Sequence, residues 1–164
     1  MAKKEKRDTK KEIIAAVEKY FEIDEVKHEP FDENDVAQAA FAIQSKFQHA
    51  DVLFMAYDDR LIIRMILPLR ADDERAKVGE FLHRANYGLN NGNFDFDFND
   101  GEIAYRMAIY CGVDEFAPPT YEQIDFALVV GLMMIDKYGD ALIKVMFGLV
   151  EPIDAIEDAE EDND

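Results

Sequence analysis

The chain has 164 residues, a single cysteine, 36 acidic residues against 18 basic ones, and a net charge of −18. That length suits one domain whose core needs no cross-links, the lone Cys111 excludes an internal disulfide, and no apolar run approaches the roughly 18 residues of a membrane span. So acidic a body repels nucleic acid and anionic membrane, so neither is an expected partner, and without a signal-peptide apolar region the expected location is cytoplasmic.

Charge marks the two ends. The first eleven residues carry six bases and two acids, and the last fourteen carry eight acids and no base. Residues 1–8 read as a flexible basic leader, residues 9–150 as the folded domain, and residues 151–164 as an acidic tail too polar to order.

Thr9 to Asp24 reads as an amphipathic helix with Ile13, Val17, Tyr20 and Phe21 on one face, and Thr9 with Glu12 as a capping box. Pro30 breaks the pattern near His28. Three strands follow, at about Gln38–Phe47, Asp51–Tyr57 and Leu61–Leu67. A two-residue turn at Asp58-Asp59 places Val52, Phe54 and Ala56 on one face with Leu61, Ile63 and Met65. The opposite face carries Leu53, Met55, Tyr57, Ile62 and Ile66, so it too is apolar. A solvent-facing side would be polar, so helices, a second protomer or a ligand must cover it.

Ala71-Asp72-Asp73-Glu74 opens the next helix, whose stripe is Val78, Phe81, Leu82, Ala85 and Leu89, and Asn90-Asn91-Gly92 ends it. Phe94, Phe96 and Phe98 alternate with Asp95 and Asp97 before Asp100-Gly101, the dipeptide of a type I′ hairpin turn. A two-residue turn there pairs Phe98 with Ile103, Phe96 with Tyr105, Asp95 with Arg106 and Phe94 with Met107. The last long helix starts behind a second capping box, Thr120 with Gln123, and runs to about Tyr138. Gly139-Asp140 interrupts it, and Ala141 to Met146 resumes as a short helix. Phe126, Val129, Val130, Met133 and Met134 make it apolar nearly all round, the mark of a helix covered on more than one side.

Chemistry is sparse. Ser45 is the only serine and lies inside an expected strand, without a nucleophile elbow. Cys111 closes a strand with no activating neighbour in sequence and reads as a structural thiol. His28, His49 and His83 are not paired at metal-ligand spacing. Asp95, Asp97 and Asn99 sit at EF-hand spacing, but the glycine is one place late and Arg106 stands where the closing glutamate belongs. No phosphate-cradling glycine loop is present, and no cofactor or metal is expected.

The segment from Phe81 to Gly148 resembles the YbjN family, proteins with a type III secretion chaperone-like fold. Asn86, Asn90, Gly92 and Phe94 carry the likeness, with Phe96-x-Phe98-x-Asp100-Gly101, Tyr105-Arg106, the Pro119-led apolar helix with Ile124, Leu128 and Met133, then Tyr138 and Phe147-Gly148. More loosely it reaches back to Thr9. The resemblance implies an α+β single domain of order α-β-β-β-α-β-β-α, with an antiparallel sheet packed with helices. It also implies a non-enzymatic regulator or chaperone-like homodimer that binds extended segments of other proteins. The surplus apolar residues Leu53, Met55, Ile62 and Ile66 on the strands, and Phe126, Val130, Met133 and Met134 on the helix, are the candidate interaction surface. The competing expectation is a small-molecule or metal-dependent enzyme built on clustered carboxylates.

Overall fold

The computed structural model describes residues 7–161. Its elements are α1 (Thr9–Ile23), β1 (His28–Glu29), β2 (Val36–Ala42), β3 (His49–Ala56), β4 (Arg60–Ile66), α2 (Arg75–Tyr87), β5 (Asn93–Phe96), β6 (Ile103–Tyr110), α3 (Tyr121–Met146) and α4 (Pro152–Glu161). The expected α+β order holds, with a two-residue strand added after α1 and a helix added at the end. All strands join one antiparallel sheet in the order β1-β2-β3-β4-β6-β5.

The β3–β4 hairpin forms as the alternation demands. Ala56 pairs with Leu61, Phe54 with Ile63 and Val52 with Met65, and all six are buried. The Tyr57 amide donates to the Arg60 carbonyl at 2.9 Å across the Asp58-Asp59 turn. The buried set meets the helices. Phe54 packs edge-on against Phe21 of α1 at 4.8 Å between centroids, and Gly131 of α3 lies against Met65 and Tyr105. Helix α2 reaches the same layer through Phe81, whose ring meets Tyr138 of α3 at 6.4 Å.

The β5–β6 hairpin differs from expectation by two residues. Phe96 pairs with Ile103, Asp95 with Ala104 and Phe94 with Tyr105. Residues 97 to 102 form a wider loop rather than a two-residue turn, because aspartate side chains supply competing acceptors. Asp97 accepts from the Asn99 amide at 2.7 Å, Asp100 accepts from the Glu102 amide at 2.9 Å, and the Gly101 amide donates to the Asp97 carbonyl at 2.8 Å. An even shift preserves the faces, so Phe94 and Tyr105 remain inside. Asp95 and Arg106 still meet, diagonally, at 3.2 Å. Phe98 leaves the ladder and stacks edge-on against Phe96 at 4.6 Å.

Other boundaries move for local reasons. Strand β2 ends at Ala42, not Phe47, because Asp136 accepts from the Gln44 and Ser45 amides (2.8 and 2.9 Å) and Asp140 from Lys46 (2.8 Å). Those contacts tie the chain to α3, which runs unbroken for 26 residues through Gly139-Asp140. Gly139 serves that approach: a Cβ there would lie 2.8 Å from the Ser45 hydroxyl oxygen. The Thr120–Gln123 capping box forms in both directions (3.2 and 2.9 Å). At α1 the cap is Asp8, which accepts from Lys11, and Thr9 is already helical.

The C-terminal segment departs furthest from the disordered tail expected over 151–164. Residues Pro152–Glu161 form α4, which packs on α2 and α3 and buries Pro152, Ala155 and Ala159. Glu160 accepts from the Tyr138 hydroxyl at 3.1 Å, and Lys77 pairs with Glu151 at 2.7 Å. The remaining residues 162–164 lie outside the described residues, as do residues 1–6 of the expected leader. Arg7 is held by Glu12 and the Phe116 carbonyl.

Candidate protein-interaction surface

Every helix among the described residues lies on the Val52–Phe54–Ile63–Met65 side of the sheet, so among those residues the opposite side is bare. Register places its residues in cross-strand rows. One runs Val36, Met55, Ile62, Ala108; the next Gln38, Leu53, Arg64, Arg106, Asn93; the third Ala40, Asp51, Ile66, Ala104, Asp95. Leu53, Met55, Ile62 and Ile66 are half-buried, and Tyr57 and Tyr110 stand exposed at the margin. The four apolar residues singled out from the strands are thus brought together on one face.

Sequence reasoning missed the polar centre of that face. Arg64 and Arg106 are direct cross-strand partners. Two like charges so placed repel, and each is answered by a carboxylate: Arg64 by Glu102 at 2.9 Å, Arg106 by Asp95 at 3.2 Å. Arg70 also reaches Glu102, at 3.7 Å, and pairs with Asp100. The Arg64 Nε is buried with no partner. A signal was available: Arg64 interrupts an otherwise apolar alternation between Ile62 and Ile66. These side chains and the start of the 97–102 loop frame a shallow open hollow of about 700 Å³, floored by Met55 and Ile62.

The second candidate set lies on α3. Its sheet-facing side, Ile124, Leu128, Gly131 and Ile135, is buried. On the opposite side Phe126 is 52 % exposed and Met133 57 %. Val130 and Met134 are half-buried beside them, and Met134 contributes to a small hollow next to Lys137. Val129, 43 % exposed, completes this stripe; the sequence placed it on the all-round apolar helix but not among the four interaction candidates. The two apolar surfaces therefore lie on opposite sides of the molecule, one under the sheet and one over the helices.

The residues considered for chemistry are dispersed. Ser45 is buried and accepts from the Phe47 amide at 3.2 Å, a structural role. Burial pushes the Cys111 thiol up, away from thiolate. His28 stacks on Phe21 at 4.2 Å, while His49 and His83 stand on β3 and α2. Asp58-Asp59, Asp72-Asp73 and Asp95/Asp97 occupy separate turns and strands. Among the described residues no group of three or more His, Cys, Asp or Glu is placed to hold a metal ion. Among the described residues, too, no helix is long and apolar enough to cross a membrane.

Fold and surface together define an α+β domain whose single antiparallel sheet is backed by helices on one side and bare on the other. The chain belongs to the YbjN family, described as "putative bacterial sensory transduction regulator", whose profile spans residues 14–144. In structure it is similar to YbjN from E. coli, described as "a putative transcription regulator". The TM-score is 0.53 at 8% sequence identity, over 75% of this chain and 85% of that one. That likeness is one of fold. No curated protein matches the chain.

Proposed function

We propose that the chain is a non-enzymatic, cytoplasmic protein-binding module that works as a homodimer in a regulatory or chaperone-like role. The observation that carries this reading is the bare sheet face. Leu53, Met55, Ile62 and Ile66 form, around Arg64, an apolar surface that no helix among the described residues covers, and monomers seldom leave such a surface unpartnered. The regulator description attached to the family points the same way. The face suits an extended segment of another protein, with apolar side chains over Met55 and Ile62 and an acidic one directed to Arg64 and Arg106.

The test is affinity isolation from native lysate with wild-type protein and with Met55→Glu as baits, followed by direct titration of the purified retained protein. A partner held by the wild type and released by at least tenfold in affinity with Met55→Glu supports the reading. Identical retention by both baits contradicts it.

A further inference from the structure

The exposed stripe of α3 carries a pattern that the bare sheet lacks: it is complementary to itself. Glu122, Phe126, Val129, Met133 and Lys137 recur at intervals of four, three, four and four, along one side of an unbroken 26-residue helix. Set two such helices antiparallel, with the two-fold axis passing between Val129 and Val130. Val129 then meets Val130 of the second copy, Phe126 meets Met133, and Glu122 meets Lys137. Each contact occurs twice, as a two-fold interface requires.

The charges at the ends make the register specific. Neither Glu122 nor Lys137 forms an ion pair within the chain among the described residues. The Lys137 ammonium lies over the Tyr138 ring at 5.3 Å, at the border of the stripe. The flanking acids are already engaged. Asp125 accepts from the Tyr20 hydroxyl at 3.2 Å, and Asp136 from the Gln44 and Ser45 amides. In this register they fall opposite Met134 and Gln123, not opposite each other. A parallel arrangement would set Glu122 against Glu122 and Lys137 against Lys137, which is repulsive.

We infer that α3 is the dimerisation element: two copies pair antiparallel through Phe126, Val129, Val130 and Met133, clamped at both ends by Glu122 and Lys137. This rests on the homodimer reading proposed above and assigns its interface. The dimer so built turns both bare sheets outward, free for another protein. A single helix seam is small, below about 1,200 Å² in total, so the dimer dissociates measurably at micromolar concentration.

Charge exchange tests it. Prepare Glu122→Lys and Lys137→Glu separately, confirm their unfolding midpoints, and follow association by sedimentation velocity and native mass spectrometry. Each variant alone sets like charges together at both ends and dissociates at a concentration at least tenfold higher than the wild type. Mixed, the two variants regain opposite charges at both ends, and the mixture forms a dimer containing one copy of each. Met133→Glu, without a complement, stays dissociated. If the wild type is dimeric and all variants remain equally so, the interface is elsewhere: this assignment falls and the homodimer reading stands. If the wild type is monomeric, both fall.

Discussion

Single residues decide how tightly the 97–102 loop is specified. Gly101 has φ of +78°, and a Cβ on it would lie 2.1 Å from the Ala71 carbonyl oxygen. Its own carbonyl accepts from the Ala71 amide at 2.9 Å, so the loop is pinned to the start of the α2 connection. Gly101→Val should therefore cost about 2 kcal/mol or more, from backbone strain with a clash added. Asp95→Asn removes one half of a partly exposed pair and should cost under about 1 kcal/mol. Denaturant midpoints of the two variants check the contrast; equal losses would contradict it. Asp100 offers a pH test. Donation by the Glu102 amide, and secondarily by Arg70, holds its carboxyl below the ordinary carboxylate range. A lowered folded-state value means its contribution is present above the unfolded value near 4 and is lost as pH falls through the folded one. The stability gap between wild type and Asp100→Asn should thus narrow from pH 6 toward pH 2. A gap that widens in acid would be the wrong sign.

At the scale of elements, what could be read from sequence was whatever period and turn chemistry agree on. Strands β3 and β4 were legible because the apolar alternation runs up to both sides of a two-residue turn, closed by the bond from the Tyr57 amide to the Arg60 carbonyl. Helix α3 was legible at its start, where Thr120 and Gln123 cap it, but not at Gly139. Helix propensity marks a glycine as a break, whereas here it is the point of closest approach to Ser45. The wider loop after Phe96 escaped because Asp97 and Asp100 bond backbone amides that a two-residue turn would leave elsewhere. Helix α4 escaped for another reason. Its composition is acidic, and acids at a helix C-terminus oppose the dipole, yet Ala155 and Ala159, four apart, fit against α2 and α3. Truncation after Glu151 should therefore lower unfolding stability by about 2 kcal/mol, the scale of one or two aliphatic side chains losing burial. Chemical denaturation of the truncated chain checks this; an unchanged midpoint would mean α4 contributes nothing to the fold.

For the whole molecule, the alternation of β3 and β4 announced two apolar faces without saying what covers each. The structure assigns all helices to one, since Phe21, Gly131 and Phe81 all engage the Phe54 side or the layer above it. Arg64 and Arg106 on the bare side became neighbours only through the β4–β6 pairing, which joins strands separated by α2 and β5 and so leaves no local trace. The same topology leaves α3 apolar on its outer side. A protein with a net charge of −18 repels its own copies at long range, so association must come from short-range apolar contact and should strengthen as salt screens the charge. The account therefore stands on assembly. Sedimentation equilibrium of the untagged chain, from about 1 to 100 μM at physiological salt, should give a mass rising from the 18.8 kDa of one chain toward twice that value. A single species at 18.8 kDa over the whole range would contradict it.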